Sequence, residues 1–173
     1  HNYSVSGNRM GIRVYGTLTV MSGDYSSGLL LYCTETGTIN IYGGDYFSVS
    51  SYSSAGNGTV NIYGGTFNIV DAVSGTINIY GGSISYIYGN VNYPVTNISL
   101  SSSSLTLARE TSQSLTATIS PEIAASHVTV SWSSSNENVA QISGSGTAVT
   151  VTAVAPGTAT ITASAGGKEA TCT

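Results

Sequence analysis

Charge is what this chain has least of. Among 173 residues only 4 are Lys or Arg and 8 are Asp or Glu, so charged side chains make up 7%, against roughly a quarter in an ordinary globular protein. Four cations cannot build the phosphate-neutralising surface that nucleic acid or an anionic membrane demands, so neither is expected as a partner. Histidine is as scarce. His1 and His127 stand far apart, and neither falls into a triad or zinc-ligand spacing. Two cysteines, Cys33 and Cys172, are too few for a disulfide framework; both read as small buried hydrophobes. No aliphatic run is longer than Leu29-Leu30-Leu31, which leaves no transmembrane segment. The shortage of charge is not a mark of disorder, because hydrophobic residues make up 40% of the chain.

What is present is unevenly placed. All 12 tyrosines and both phenylalanines lie before residue 94, and beyond it the only aromatic is Trp132. Such a step in composition marks two folding units, 1–93 and 94–173. The junction is expected at Val91-Asn92-Tyr93-Pro94, where Pro94 disfavours helical geometry at Tyr93 and suits an extended connection.

The first unit repeats itself. Gly-Thr-Leu-Thr-Val-Met-Ser-Gly at 16–23 aligns with Gly-Thr-Ile-Asn-Ile-Tyr-Gly-Gly at 37–44 and 75–82, and with Gly-Thr-Val-Asn-Ile-Tyr-Gly-Gly at 58–65. The starts are 21, 21 and 17 residues apart. A repeat this short marks a solenoid, and the alternation inside it has strand period. Leu18, Ile39, Val60 and Ile77, with Val20, Ile41, Ile62 and Ile79, are expected to point inward. Thr17, Thr38, Thr59 and Thr76 point outward, as do Thr19 with Asn40, Asn61 and Asn78, and Met21 with Tyr42, Tyr63 and Tyr80. The expected fold is a short parallel β-helix whose Gly-Gly pairs turn corners at positive φ. Tyr25, Tyr46, Phe67 and Ile84, two residues past each corner, form a second inward column. A third strand is expected at Ile12-Arg13-Val14-Tyr15 and Leu29-Leu30-Leu31-Tyr32, with weaker counterparts near 53–57 and 72–74. The short last spacing implies a trimmed loop.

Two groups of side chains are candidates for function. The outward column Tyr42, Tyr63 and Tyr80 could offer aromatic surface and phenol hydroxyls to a sugar polymer. Asn40, Asn61 and Asn78 would add amide donors and acceptors on the same face. Copied repeats favour such ladders for structural reasons alone, so a plain scaffold is the competing reading. Asp24 and Asp45 each follow a corner and should lie one rung apart. They are a candidate Ca²⁺ pair or simply two solvated carboxylates; no other cofactor is expected. Asp71 and Glu35 are expected in loops. The acids and bases converge nowhere, so catalysis is not expected.

The second unit reads as an antiparallel sandwich of short strands at 95–100, 105–107, 113–120, 128–133, 140–143, 148–153, 157–163 and 169–173. Its specific stretches are Val130-x-Trp132-x-Ser134-Ser135-Asn136-x-x-Val139-Ala140 and Ala153-Val154-Ala155-Pro156-Gly157-Thr158-Ala159-Thr160-Ile161. On these it resembles the bacterial Ig-like domain of group 2, departing from the usual pattern at the turn 141–147. The first unit more loosely resembles the parallel β-helix modules of bacterial surface and carbohydrate-binding proteins. The resemblances imply an extracellular, secreted or surface-anchored module without catalytic activity. Its role would be adhesion or binding of a polysaccharide or host-surface glycan through the β-helix face. The alternatives are a structural stalk and a fragment of a β-helix polysaccharide-active enzyme. Flanking modules of a longer surface protein are expected, and the opening at His1 without Met is what a processed or excised chain would show.

Overall fold

The computed structural model describes residues 10–33, 36–51 and 58–173. The chain divides into two compact units, His1–Tyr93 and Pro94–Thr173.

In the first unit the chain alternates between two parallel sheets. One sheet holds β1 (Met10–Val14), β3 (Asp24–Cys33), β5 (Asp45–Ser51), β7 (Thr66–Ala72) and β9 (Ser83–Gly89), in that order. The other holds β2 (Thr17–Val20), β4 (Thr38–Ile41), β6 (Thr59–Ile62) and β8 (Thr76–Ile79). Each coil gives one strand to each sheet, which is the wound arrangement the repeat requires. The register is the one the repeat implies: Thr17, Thr38, Thr59 and Thr76 are successive partners, as are Thr19, Asn40, Asn61 and Asn78. Ile39, Ile41, Val60, Ile62, Ile77 and Ile79 are wholly buried, so one face of each short strand fills the interior.

The corners depend on glycine. Only residues 42–44 separate β4 from β5, and the second glycine of each pair, Gly44, Gly65 and Gly82, has φ near +100° (108°, 107° and 99°). The ladder runs through the corner unbroken: Thr66 N donates to Gly44 O at 2.8 Å, and Ser83 N to Gly65 O at 2.8 Å. Beyond the corner the expected second column is internal. Tyr46 and Phe67 are buried, with rings 5.0 Å apart and 8° from parallel. The Tyr46 hydroxyl donates to Gly43 O at 3.0 Å, so its polar end is satisfied.

The third strand is not a separate element. It is the far half of the long strands: Leu31 pairs with Val49, Val49 with Val70, and Val70 with Ile87. Its counterparts are therefore at 48–51 and 69–72, where Val49 and Val70 replace leucine in the core, while 53–57 lie outside the described residues. Coil lengths also conceal an offset. Between paired positions Tyr25/Tyr46 and Leu30/Ser48, β3 carries residues 26–29 where β5 carries only Phe47. The loop after β3 is shorter than the loop after β5 by the same amount, so two differently built coils share one spacing. The trimmed loop of the next coil lies, as expected, between Ala72 and Gly75.

Among the described residues one buried polar group lacks a partner. The Ser51 hydroxyl is wholly buried with no hydrogen bond, at a rung where the preceding coil carries Cys33. Removing an unsatisfied hydroxyl relieves its desolvation cost. Ser51→Ala is expected to raise stability by about 1 kcal/mol, read as a higher urea midpoint. A lower midpoint would mean that the hydroxyl is satisfied. Cys33, at the same position one coil earlier, places its thiol against Gly37 O at 2.9 Å and Thr59 O at 3.2 Å. Burial raises its pKa, so it stays a protonated donor.

The second unit is antiparallel. One sheet has the order β10 (Asn97–Leu100), β11 (Ser112–Ser120), β14 (Ala148–Ala153), β13 (Ala140–Ser145), and the other β12 (Ser131–Ser134), β15 (Ile161–Ala165), β16 (Lys168–Cys172). Leu115, Val149, Val151, Ile161 and Cys172 form a core, with Trp132 packed partly buried against it. Residues 105–107 are not a strand. Leu105 N reaches Thr173 O at 2.8 Å, and the backbone then leaves the ladder. The turn at 141–147 is a tight hairpin, with Ser145 paired to Ala148 and both Gly144 and Gly146 at positive φ. Trp132 Nε1 donates to Gly146 O at 2.9 Å, tying that turn to the core anchor.

Candidate functional site

The outer face of the sheet formed by β2, β4, β6 and β8 brings together six of the candidate residues. Strand alternation sends Thr, Asn and then Tyr outward from each rung, and the exact register stacks like on like. Asn61 Nδ2 donates to Asn40 Oδ1 at 2.8 Å, and Asn78 Nδ2 to Asn61 Oδ1 at 2.8 Å. Asn61 and Asn78 thus each use one donor hydrogen and one acceptor direction within the ladder. A primary amide retains a second N–H and a second lone pair for other partners.

The tyrosines are arranged differently from a flat platform. Tyr42 and Tyr63 have ring centroids 4.6 Å apart at 7°, and Tyr63 and Tyr80 4.8 Å apart at 10°. Two rings lying side by side in one plane cannot approach so closely. They are stacked face on face along the coil axis, so the column meets solvent with its edges and hydroxyls. Tyr42 is 48% and Tyr63 40% exposed. The Tyr63 phenol is held above its ordinary pKa by partial burial, with Tyr80 and Tyr42 adding to the effect. It therefore stays protonated, a neutral donor, throughout the neutral range.

The face extends further than the repeat motif. Asn92 bridges Asn78 in parallel, its backbone N donating to Ile77 O at 2.8 Å and its O accepting from Ile79 N at 2.8 Å. Its Nδ2 continues the ladder to Asn78 Oδ1 at 3.2 Å. Asn92, expected in the junction, is thus a fifth rung. The signal for it was Val-Asn-Tyr at 91–93, which keeps the apolar–Asn–apolar core of the repeat without its Thr or glycine corner.

The acidic pair lies apart from this face. Asp24 and Asp45 are register partners at the starts of β3 and β5, and Thr66 and Ser83 continue their column. Asp24 is tied locally. It accepts from Ser26 Oγ at 2.6 Å and Ser26 N at 3.1 Å, and these bonds lower its pKa. Two carboxylates supply at most about four of the roughly six to eight oxygens that Ca²⁺ takes, the rest coming from backbone carbonyls or water. Among the described residues no group of three His, Cys, Asp or Glu could hold a metal ion. Asp71 lies in β7, paired with Ser50 and Tyr88, rather than in a loop; Glu35 is outside the described residues. Cys33 and Cys172 are both free and buried. Among the described residues no helix is long and apolar enough to cross a membrane.

Residues 94–173 match the family of bacterial Ig-like domains, group 2. A search of curated proteins finds none that matches the chain.

Proposed function

We propose, taking residues 94–173 as a bacterial Ig-like domain of group 2, that the chain is a non-catalytic extracellular module of a bacterial surface protein, adhering through its solenoid. The ligand we assign to the solenoid is a neutral polysaccharide or host-surface glycan. The observation that carries this reading is the uncharged Tyr–Asn–Thr face, whose hydroxyls and amides recur at the same positions on rung after rung. A sugar polymer presents hydroxyls at a similarly regular interval. The stacked rings present hydroxyls and edges, so recognition would rest on hydrogen bonding more than on ring-to-sugar stacking.

The test is a glycan array and pull-down on insoluble polysaccharides, with titration calorimetry on the hits. Tyr42→Ala and Asn61→Ala are each expected to weaken binding by about 5- to 30-fold, the effect of losing one or two good contacts. Unchanged binding in both variants would remove the face from the function. Binding to no glycan or host surface would leave a structural stalk. That second reading draws on the bonds within the ladder, since each ring stack and amide bond also joins one coil to the next.

A further inference from the structure

We propose that the Tyr42–Tyr63–Tyr80 column is a site of oxidative dityrosine cross-linking, joining Tyr63 to Tyr42 or to Tyr80. The ring centroids are 4.6 and 4.8 Å apart, and Tyr42 and Tyr63 are exposed. The partners also come from different coils, 21 and 17 residues apart in sequence. A bond between them would therefore staple neighbouring coils covalently.

The chemistry needs an oxidant, and the class we assign is hydrogen peroxide acting through a haem peroxidase. Each phenol gives up one electron and its hydroxyl proton to become a tyrosyl radical. Peroxide takes the two electrons and two protons and leaves as two water molecules. The two radicals couple through ring carbons ortho to oxygen, forming one C–C bond. Each ring then regains aromaticity as its ortho hydrogen moves to oxygen, so the product has lost two hydrogens in all. Radicals held in contact within the stack couple as if at a concentration far above that of any second molecule. The column thus favours linkage within one chain.

Another stacked tyrosine pair, among the described residues, shows why this column is singled out. Tyr25 and Tyr46 lie 5.2 Å apart at 27°, but Tyr46 is 2% exposed and its hydroxyl is committed to Gly43 O. Its hydroxyl proton is engaged by that carbonyl, and its ring is held between Tyr25 and Phe67.

The full chain, treated at low micromolar concentration with peroxidase and limiting peroxide, should show dityrosine fluorescence in the monomer. Its mass should fall by two hydrogens, and digestion should release a peptide joining 42 to 63 or 63 to 80. The yield per molecule should not change on dilution. Tyr63→Phe keeps the stack but removes the shared partner of both pairs, and is expected to cut the monomer yield about tenfold. Tyr25→Phe should leave the yield unchanged. The proposal is overturned by no dityrosine, by linkage only between molecules, or by an undiminished monomer yield in Tyr63→Phe. The outcome does not depend on glycan binding.

Discussion

Phe67→Ala is expected to lower the stability of the solenoid unit by about 3–5 kcal/mol, the range for emptying a fully buried aromatic site. Phe67 has no exposure, and its ring stacks on Tyr46. Truncation would remove that stacking and open a void in a coil closed by short corners, where the backbone has little room to collapse. Phe67→Tyr is the informative companion. One coil earlier, Tyr46 occupies the same column and sends its hydroxyl to Gly43 O. A tyrosine at 67 would find Gly64 O in the equivalent place, so that change should cost less than about 1 kcal/mol. Urea unfolding followed by near-UV circular dichroism of the tyrosines reports on the solenoid, because every tyrosine lies in it. Trp132 emission reports separately on the second unit. A Phe67→Ala midpoint equal to that of the parent protein would mean that the inward column is not the core.

That core was legible in the sequence for a physical reason. A strand has period two, and a copied rung repeats its inward residues at a fixed offset from a glycine corner. The pattern at 37–44 and 75–82 therefore defines the buried and outward columns of the short strands on its own. Other features were hidden because the pattern does not encode them. The equal 21-residue spacings concealed a longer bend at 26–29 balanced by a shorter loop, since a spacing counts residues and not where they bulge. The far halves of β5 and β7 lacked the leucines of β3, and Ser48, Ser50 and Ser51 disguised a buried strand as a turn. Residues 105–107 alternate like a strand but obtain only one ladder bond. The tyrosine column was visible as a column, yet side-chain torsions decide whether its rings lie flat or stack. The rung spacing favours stacking, because the next ring is close enough to cover each face. The two residues of the acidic pair were placed correctly as neighbours, but the local Asp24–Ser26 bonds depend on a turn that the residue types alone do not define.

The corners carry the second large effect, and they separate two roles of glycine in one motif. Gly65→Ala is expected to cost roughly 3 kcal/mol or more, from a backbone that side chains rarely adopt and a steric clash together. Gly65 has φ of 107°, and a Cβ there would lie 2.7 Å from Gly44 O and 3.3 Å from the Phe67 ring. Gly44 O cannot retreat, because it accepts the ladder bond from Thr66 N. Gly16→Ala is the control within the same repeat. Gly16 has no atom within 4 Å of an added Cβ and no positive φ, so its replacement should change stability by less than about 0.5 kcal/mol. Gly75 aligns with Gly16 in sequence, but a Cβ added at Gly75 would lie 2.5 Å from Gly58 O, at a φ of +87°. The same motif position is thus open in the first coil and closed where another coil already lies against it. If Gly65→Ala and Gly16→Ala shifted the tyrosine-monitored midpoint equally, the tight stacking of one corner on the next would be wrong. A large loss at Gly65 with none at Gly16 would locate the requirement for glycine at the stacked corners, where the positive-φ turn and the contact between coils act together.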